Sequence, residues 1–98
     1  YKPLPKFPSV DRDIALVIRE DVPVREIEKI IRREGGELLE ELLLFDVYKG
    51  IQVGEGLRSV AYSMSFRAAD RTLTDEEVNE KFNDIVTALG NELGARLR

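Results

Sequence analysis

An α+β sandwich, with a four-stranded antiparallel sheet beneath two helices that share one face, is the fold class the sequence predicts. Three observations carry it. Strand-like alternation over residues 12–19 and 59–67 is interleaved with stretches whose apolar residues recur at helical spacing. The elements read in the order strand, helix, strand, strand, helix, strand, and right-handed crossovers then place both helices on one side of the sheet. A chain of 98 residues, 43% hydrophobic and 35% charged, has material for one small core and no second domain.

The first strand is read from Ile14, Leu16 and Ile18 alternating with Asp13, Ala15, Val17 and Arg19. Asp21 and Pro23 then signal a helix start, Ile27, Ile30 and Ile31 give its apolar stripe, and Gly35 and Gly36 supply a left-handed stop. Leu38 to Tyr48 reads as a strand because it ends in Phe45, Val47 and Tyr48, although its leucines suit a helix equally well. Gly50, Gly54 and Gly56 mark a flexible connection to the third strand, where Val60, Tyr62, Met64 and Phe66 alternate with Ser59, Ala61, Ser63, Ser65 and Arg67. Thr74 and Glu77 form a capping box for a long helix from about Asp75 to Leu93, with Val78, Phe82, Ile85, Val86, Leu89 and Leu93 on its buried side. Gly94 ends it and leaves Ala95 to Arg98 as a short last strand.

If both helices cover one face, the other is bare, and parity decides what lies there. Ile14, Leu16, Ile18, Leu43, Phe45, Val47, Val60, Tyr62, Met64 and Phe66 are expected beneath the helices. The outer face then shows Ala15, Val17, Arg19, Leu44, Asp46, Tyr48, Ser59, Ala61, Ser63, Ser65 and Arg67. Tyr62 reads as a core residue with its hydroxyl near the rim.

Composition narrows the function classes. Cysteine and histidine are both absent, which removes disulfides, thiolate chemistry, most zinc sites and every Ser-His or Cys-His nucleophile. No apolar run approaches the roughly 18 residues of a membrane span, Leu42 to Phe45 included, so a cytosolic location is expected. A first residue Tyr1 and the prolines Pro3, Pro5 and Pro8 read as the start of a piece cut from a longer protein. The net charge of −4 disfavours a generally sticky polyanion binder, but the acid is concentrated in the helical stretches and their flanks. A flat Ala- and Ser-lined surface flanked by Tyr48, Arg19 and Arg67 suits single-stranded RNA: there is room for a base, a ring to stack on, and polar groups for edges and phosphates. A solvated antiparallel face looks much the same without any ligand.

Four separated blocks add a resemblance. Phe7-Pro8-Ser9-Val10-Asp11-Arg12-Asp13-Ile14-Ala15, then Leu44-Phe45-Asp46-Val47-Tyr48-Lys49-Gly50, then the runs from Gly56 to Phe66 and from Asp70 to Asn79, resemble the ferredoxin-fold anticodon-binding domain at the C-terminus of the bacterial phenylalanyl-tRNA synthetase beta subunit. The likeness covers about residues 5–98. It implies a ferredoxin-like βαββαβ sandwich over residues 12–98 behind an N-terminal strap or linker of residues 1–11. It implies no catalysis in the isolated domain and a role in holding the anticodon of phenylalanine tRNA. By resemblance Tyr48 stacks on an anticodon base, Asp46 accepts hydrogen bonds from a base edge such as guanine's, and Ala15 and Ser59 line the surface. Arg58, Arg67 and Arg12 are the candidates for phosphates, although Leu57 stands where relatives place a second basic residue. No cofactor or metal is expected in this domain; ATP and magnesium belong, by resemblance, to the parent enzyme, whose alpha subunit and remaining beta subunit are the expected protein partners. No membrane or DNA partner is expected.

Two other readings share the topology. A small-molecule, amino-acid-binding regulatory or dimerisation module predicts a pocket near Gly35, Gly36 and the loop after Gly50, with the bare sheet buried against a partner. An acylphosphatase-type hydrolase needs an anion cradle, which the acidic loop Glu20-Asp21-Val22-Pro23 opposes.

Overall fold

A computed structural model describes residues 7–50 and 54–98. Along the chain lie β1 (Val10–Arg19), α1 (Val24–Gly35), β2 (Leu39–Tyr48), β3 (Leu57–Phe66), α2 (Asp75–Leu93) and β4 (Arg96–Leu97). The strands form one antiparallel sheet in the order β2-β3-β1-β4, so the expected α+β sandwich is the observed one. Of the strap expected over residues 1–11, residues 1–6 lie outside the described residues, and β1 already begins at Val10.

Both helices pack on the same side of the sheet. Ile14, Leu16 and Ile18 of β1 and Val60, Tyr62, Met64 and Phe66 of β3 join Ile27, Ile30 and Ile31 of α1 and Val78, Ile85 and Leu89 of α2 in one buried cluster. Every second residue of the two central strands is therefore inside, as the alternation requires. α1 starts after Pro23, whose fixed φ suits the position and whose carbonyl accepts from Glu26 N at 3.1 Å. Its two terminal glycines act differently. Gly36 has φ +59°, the left-handed region, whereas Gly35 remains helical and lets Leu39 approach, a Cβ there falling 2.8 Å from Leu39 Cβ. A single 3-10 turn, Gly36–Leu38, then delays β2 to Leu39.

α2 has the expected capping box: Thr74 Oγ1 accepts from Glu77 N at 3.2 Å, and Gly94, at φ +68°, closes the helix with its N–H on Gly90 O. Thr74→Ala is expected to cost about 0.5–2 kcal/mol of unfolding free energy, read by urea denaturation, because one orphan helix donor loses its acceptor. A midpoint unchanged from the parent would show that the cap is redundant. Across the two helices, Arg33 holds Glu92 through both guanidinium Nη atoms. That hydrogen-bonded pair keeps the Glu92 carboxyl below its ordinary range.

β2 departs from the expected parity. Its register slips between Leu44, opposite Tyr62, and Asp46, opposite Ala61, so that Phe45 is an extra residue in a β-bulge. Upstream of the bulge Leu42 and Leu44 share the helix side with Met64 and Tyr62, while Leu43 shares the outer side with Ser63. The expected positions of Leu43 and Leu44 are thus exchanged. Downstream the insertion restores the expected phase: Val47 pairs with Val60 inward, Asp46 and Tyr48 outward. Leu43, Phe45 and Val47, all expected inside, are exposed, because β2 is an edge strand that the helices barely reach.

Candidate nucleic-acid interface

Residues directly opposite in an antiparallel sheet share a face, so the register lays out the outer surface row by row. One row runs Tyr48, Ser59, Val17, Arg96 across β2, β3, β1 and β4. The next runs Asp46, Ala61, Ala15, and ends at Arg98, whose N–H bonds Ala15 O at 2.9 Å just beyond β4. Tyr48, Asp46, Ala15 and Ser59, drawn from three strands, therefore occupy two adjacent rows and span about 10 Å at the usual strand spacing. The following rows are Leu43, Ser63, Asp13 and then Glu41, Ser65, Asp11, with Ser65 Oγ donating to Asp11 Oδ1 at 2.7 Å.

The face is consequently polarised. Around the Tyr48 end stand Arg19, Lys49, Arg96 and Arg98; around the other stand Asp11, Asp13, Glu40 and Glu41. Arg19 and Lys49 are each balanced by an acid, Asp21 at 3.6 Å and Glu20 at 3.7 Å. Arg96 and Arg98 have no such carboxylate side chain among the described residues. A polyanion meets attraction at one end of the sheet and repulsion at the other, which orients it.

Arg98 is the residue sequence reasoning missed. Its Nη1 donates to Ser59 Oγ at 3.3 Å, and its guanidinium carbon stands 5.7 Å from the centre of the Tyr48 ring, within cation–π reach. It thereby touches Tyr48, Ser59 and Ala15, three of the four residues expected to meet the base, and beneath it Ser59 is the one buried polar side chain among the described residues. The Arg96, Leu97, Arg98 alternation carried the signal, but a strand of two residues is too short for periodicity to declare itself. Tyr48 points outward and is 38% exposed. Its phenol end lies against Gly50, where a Cβ would stand 2.7 Å from the hydroxyl oxygen. Gly50→Ala is therefore expected to push the ring off its rotamer by roughly 0.5–1.5 kcal/mol, seen as altered ring shifts in NMR with little change in unfolding midpoint.

The three further arginines do not reach these rows. Arg58 pairs with Ile18 and faces the helix side, where its Nη2 donates to Val22 O. Arg12 pairs with Met64 and also faces the helices, its Nη2 3.3 Å from Asn79 Oδ1 and 4.0 Å from Asp75. Arg67 follows β3 at the acidic end, ion-paired to Glu40 at 2.8 Å and about 26 Å along the strand from Ser59. Tyr62 is fully buried, and its hydroxyl donates to Glu28 Oε2 at 3.2 Å.

A cleft beside the loop after Gly50 is lined by Glu20, Lys49, Gly50, Gly54, Glu55, Gly56 and Leu57, and neither Gly35 nor Gly36 contributes to it. Among the described residues no group of three or more acids is placed to hold a metal ion, and no helix is long and apolar enough to cross a membrane.

Comparison with known proteins assigns this architecture. The family model described as "Ferredoxin-fold anticodon binding domain" matches residues 5–98. The chain is 58% identical over 98 residues to the phenylalanine–tRNA ligase beta subunit of Clostridium tetani, covering all of the chain and 12% of the relative. It is 53% identical over 98 residues to the beta subunit of Symbiobacterium thermophilum, covering all of the chain and 11% of that relative. To the Clostridium acetobutylicum subunit it is 51% identical, again over the whole chain and 12% of the relative. The chain thus spans about an eighth of the length of these curated relatives. These likenesses support an anticodon-binding reading and lend none to the amino-acid-binding module. With the sheet order, the paired helices and a family match over nearly its full length, the chain belongs to the ferredoxin-fold anticodon-binding domain family.

Proposed function

We propose that this domain reads the anticodon loop of phenylalanine tRNA on the outer face of its sheet, as a non-catalytic part of a phenylalanine–tRNA ligase beta subunit. The observation that carries the reading is the gathering of Tyr48, Asp46, Ala15 and Ser59 into two adjacent outer rows at the cationic end of that face. Tyr48 supplies a plane for one unstacked base, and the small side chains of Ala15, Ser59 and Ala61 let that base lie close to the sheet. Asp46, exposed in the row beside Tyr48, is an acceptor for a base edge, a role that favours guanine with its paired ring and amino N–H donors.

Arg98 already lies over the Tyr48 ring. An arriving base therefore either displaces the guanidinium or slides beneath it, leaving its charge beside the phosphate. Arg96 adds a second cation at that end. Arg58 and Arg12 take no part, because their guanidinium groups are engaged on the helix side.

One stacked base and two or so phosphate contacts in a chain of net charge −4 bind weakly, on the order of 0.1–1 mM, or about −4 to −5.5 kcal/mol. In a full synthetase the acceptor end is held elsewhere, and the same contacts gain from effective concentration and act mainly as discrimination. ATP, magnesium and the aminoacylation chemistry belong to the rest of that enzyme, in the cytoplasm, with the alpha subunit as partner. The test is an NMR titration with the phenylalanine anticodon stem-loop and with one altered at the first anticodon base. Amide shifts confined to Ala15, Tyr48, Ser59 and their neighbours, and weakened by the altered base, are expected. Shifts centred on α1 and α2 would overturn the assignment.

A further inference from the structure

β2 is an edge strand with neither lysine nor proline between Leu39 and Tyr48; Glu40, Glu41, Asp46 and the register shifts after Leu39 and Leu44 blunt its edge, yet several of its apolar side chains are exposed. Phe45 is 58% exposed, the most exposed large hydrophobic residue among those described. Phe45 continues the upstream alternation outward, and the bulge sets Asp46 beside it: Phe45 and Asp46 together oppose the single residue Ala61, so the ring shares the row of Asp46 and Ala15. A strand continuing from Leu44 without the bulge would place Phe45 opposite Ala61 and turn both Asp46 and Tyr48 to the other face. The insertion thus keeps Asp46 and Tyr48 outward and so brings them onto the same face as the exposed Phe45 ring.

We propose that Phe45 is a second stacking platform, taking the nucleotide next to the one that stacks on Tyr48. The inference rests on the anticodon reading above and extends it from one base to two. Phe45 and Tyr48 are three positions apart on one strand, about 10 Å at the usual rise and somewhat less through a bulge, so the two rings can each take a separate base of one short unstacked segment. Single-stranded RNA binders place successive bases on successive aromatic rings, and the contact tolerates any base because every base has a π face. The occupant is RNA rather than a protein strand because the ring is continuous with the two rows that carry the candidate anticodon site.

The test uses the 98-residue chain and anticodon stem-loops in which 2-aminopurine replaces the first, second or third anticodon base, its fluorescence being quenched on stacking. With the parent chain, quenching is expected at the first position, where Tyr48 acts, and at the second or third. Phe45→Leu keeps the apolar bulk and removes the plane; it is expected to abolish the quenching beyond the first position and to weaken binding about fivefold or more. Because the ring is exposed, the variant is expected to unfold at the parent's urea midpoint. Retained quenching at the second and third positions, or unchanged affinity, overturns the proposal while leaving Tyr48 in place. If Tyr48→Ala also changes nothing, the anticodon reading itself fails and this inference falls with it.

Discussion

Tyr48→Ala is expected to weaken binding of the phenylalanine anticodon stem-loop by roughly 5- to 150-fold, the equivalent of about 1–3 kcal/mol of lost base stacking. Starting from an affinity on the order of 0.1–1 mM, the titration curve then loses its curvature within any accessible RNA concentration. Fold stability is expected to fall by no more than about 1 kcal/mol, because the ring sits on the outer side of an edge strand and is 38% exposed. Tyr48→Phe keeps the plane and is expected to retain most of the affinity. Set in a full-length phenylalanine–tRNA ligase, Tyr48→Ala is expected to lower kcat/KM for tRNA while leaving phenylalanine activation by ATP untouched, since activation needs no anticodon. An alanine variant that binds the stem-loop as the parent does would remove Tyr48 from the site.

How much of this was legible in the sequence differs by strand, for a physical reason. β1 and β3 are central and the helices cover one face, so burial follows a two-residue alternation broken only where Val17 and Ser59 are buried on the outer face, and the phase of Ile14 to Ile18 and of Val60 to Phe66 is visible without coordinates. β2 lies at the edge, where burial selects weakly. Its run from Leu42 to Phe45 carries no alternation, and a bulge leaves no mark in such a run. Two opposite outcomes followed from one slip: Leu43 and Leu44 exchanged faces, yet Asp46 and Tyr48 landed where the simple alternation placed them. Arginines were harder still. Arg58 and Arg12 fall by parity on the same face as Val60 and Ile14, but a long side chain at the end of a strand is readily imagined turning to solvent. Only the Val22 carbonyl and Asn79 show what holds them to the helix side. Arg98 required the pairing of β4 with β1, a contact between the two ends of the chain that no local pattern encodes.

The second tyrosine of the sheet gives the opposite expectation. Tyr62 is buried between α1 and the sheet, and its phenol is held protonated well above the ordinary tyrosine range, first by burial, then by the nearby Glu28 carboxylate and the hydrogen bond it accepts. The Arg58 guanidinium opposes this shift without cancelling it. In the unfolded chain the same phenol ionises near pH 10, so above that pH the unfolded state releases a proton that the folded state keeps. Stability contributed by Tyr62 is therefore fully present below about pH 10 and is lost as pH rises, at up to about 1.4 kcal/mol per pH unit until the folded phenol itself ionises. Tyr62→Phe removes this slope. It is expected to cost about 0.5–1.5 kcal/mol at neutral pH, through the hydrogen bond to Glu28, and to become less harmful between pH 10 and 12, where the parent weakens faster than the variant. Urea unfolding of both chains at pH 8, 10 and 11 reads the difference and cancels the shared titration of lysines. Parallel losses in the two would show that Tyr62 ionises freely in the folded state. Stem-loop binding at neutral pH is expected to be the same for both chains, because this ring lies under the helices while that of Tyr48 lies on the outer face.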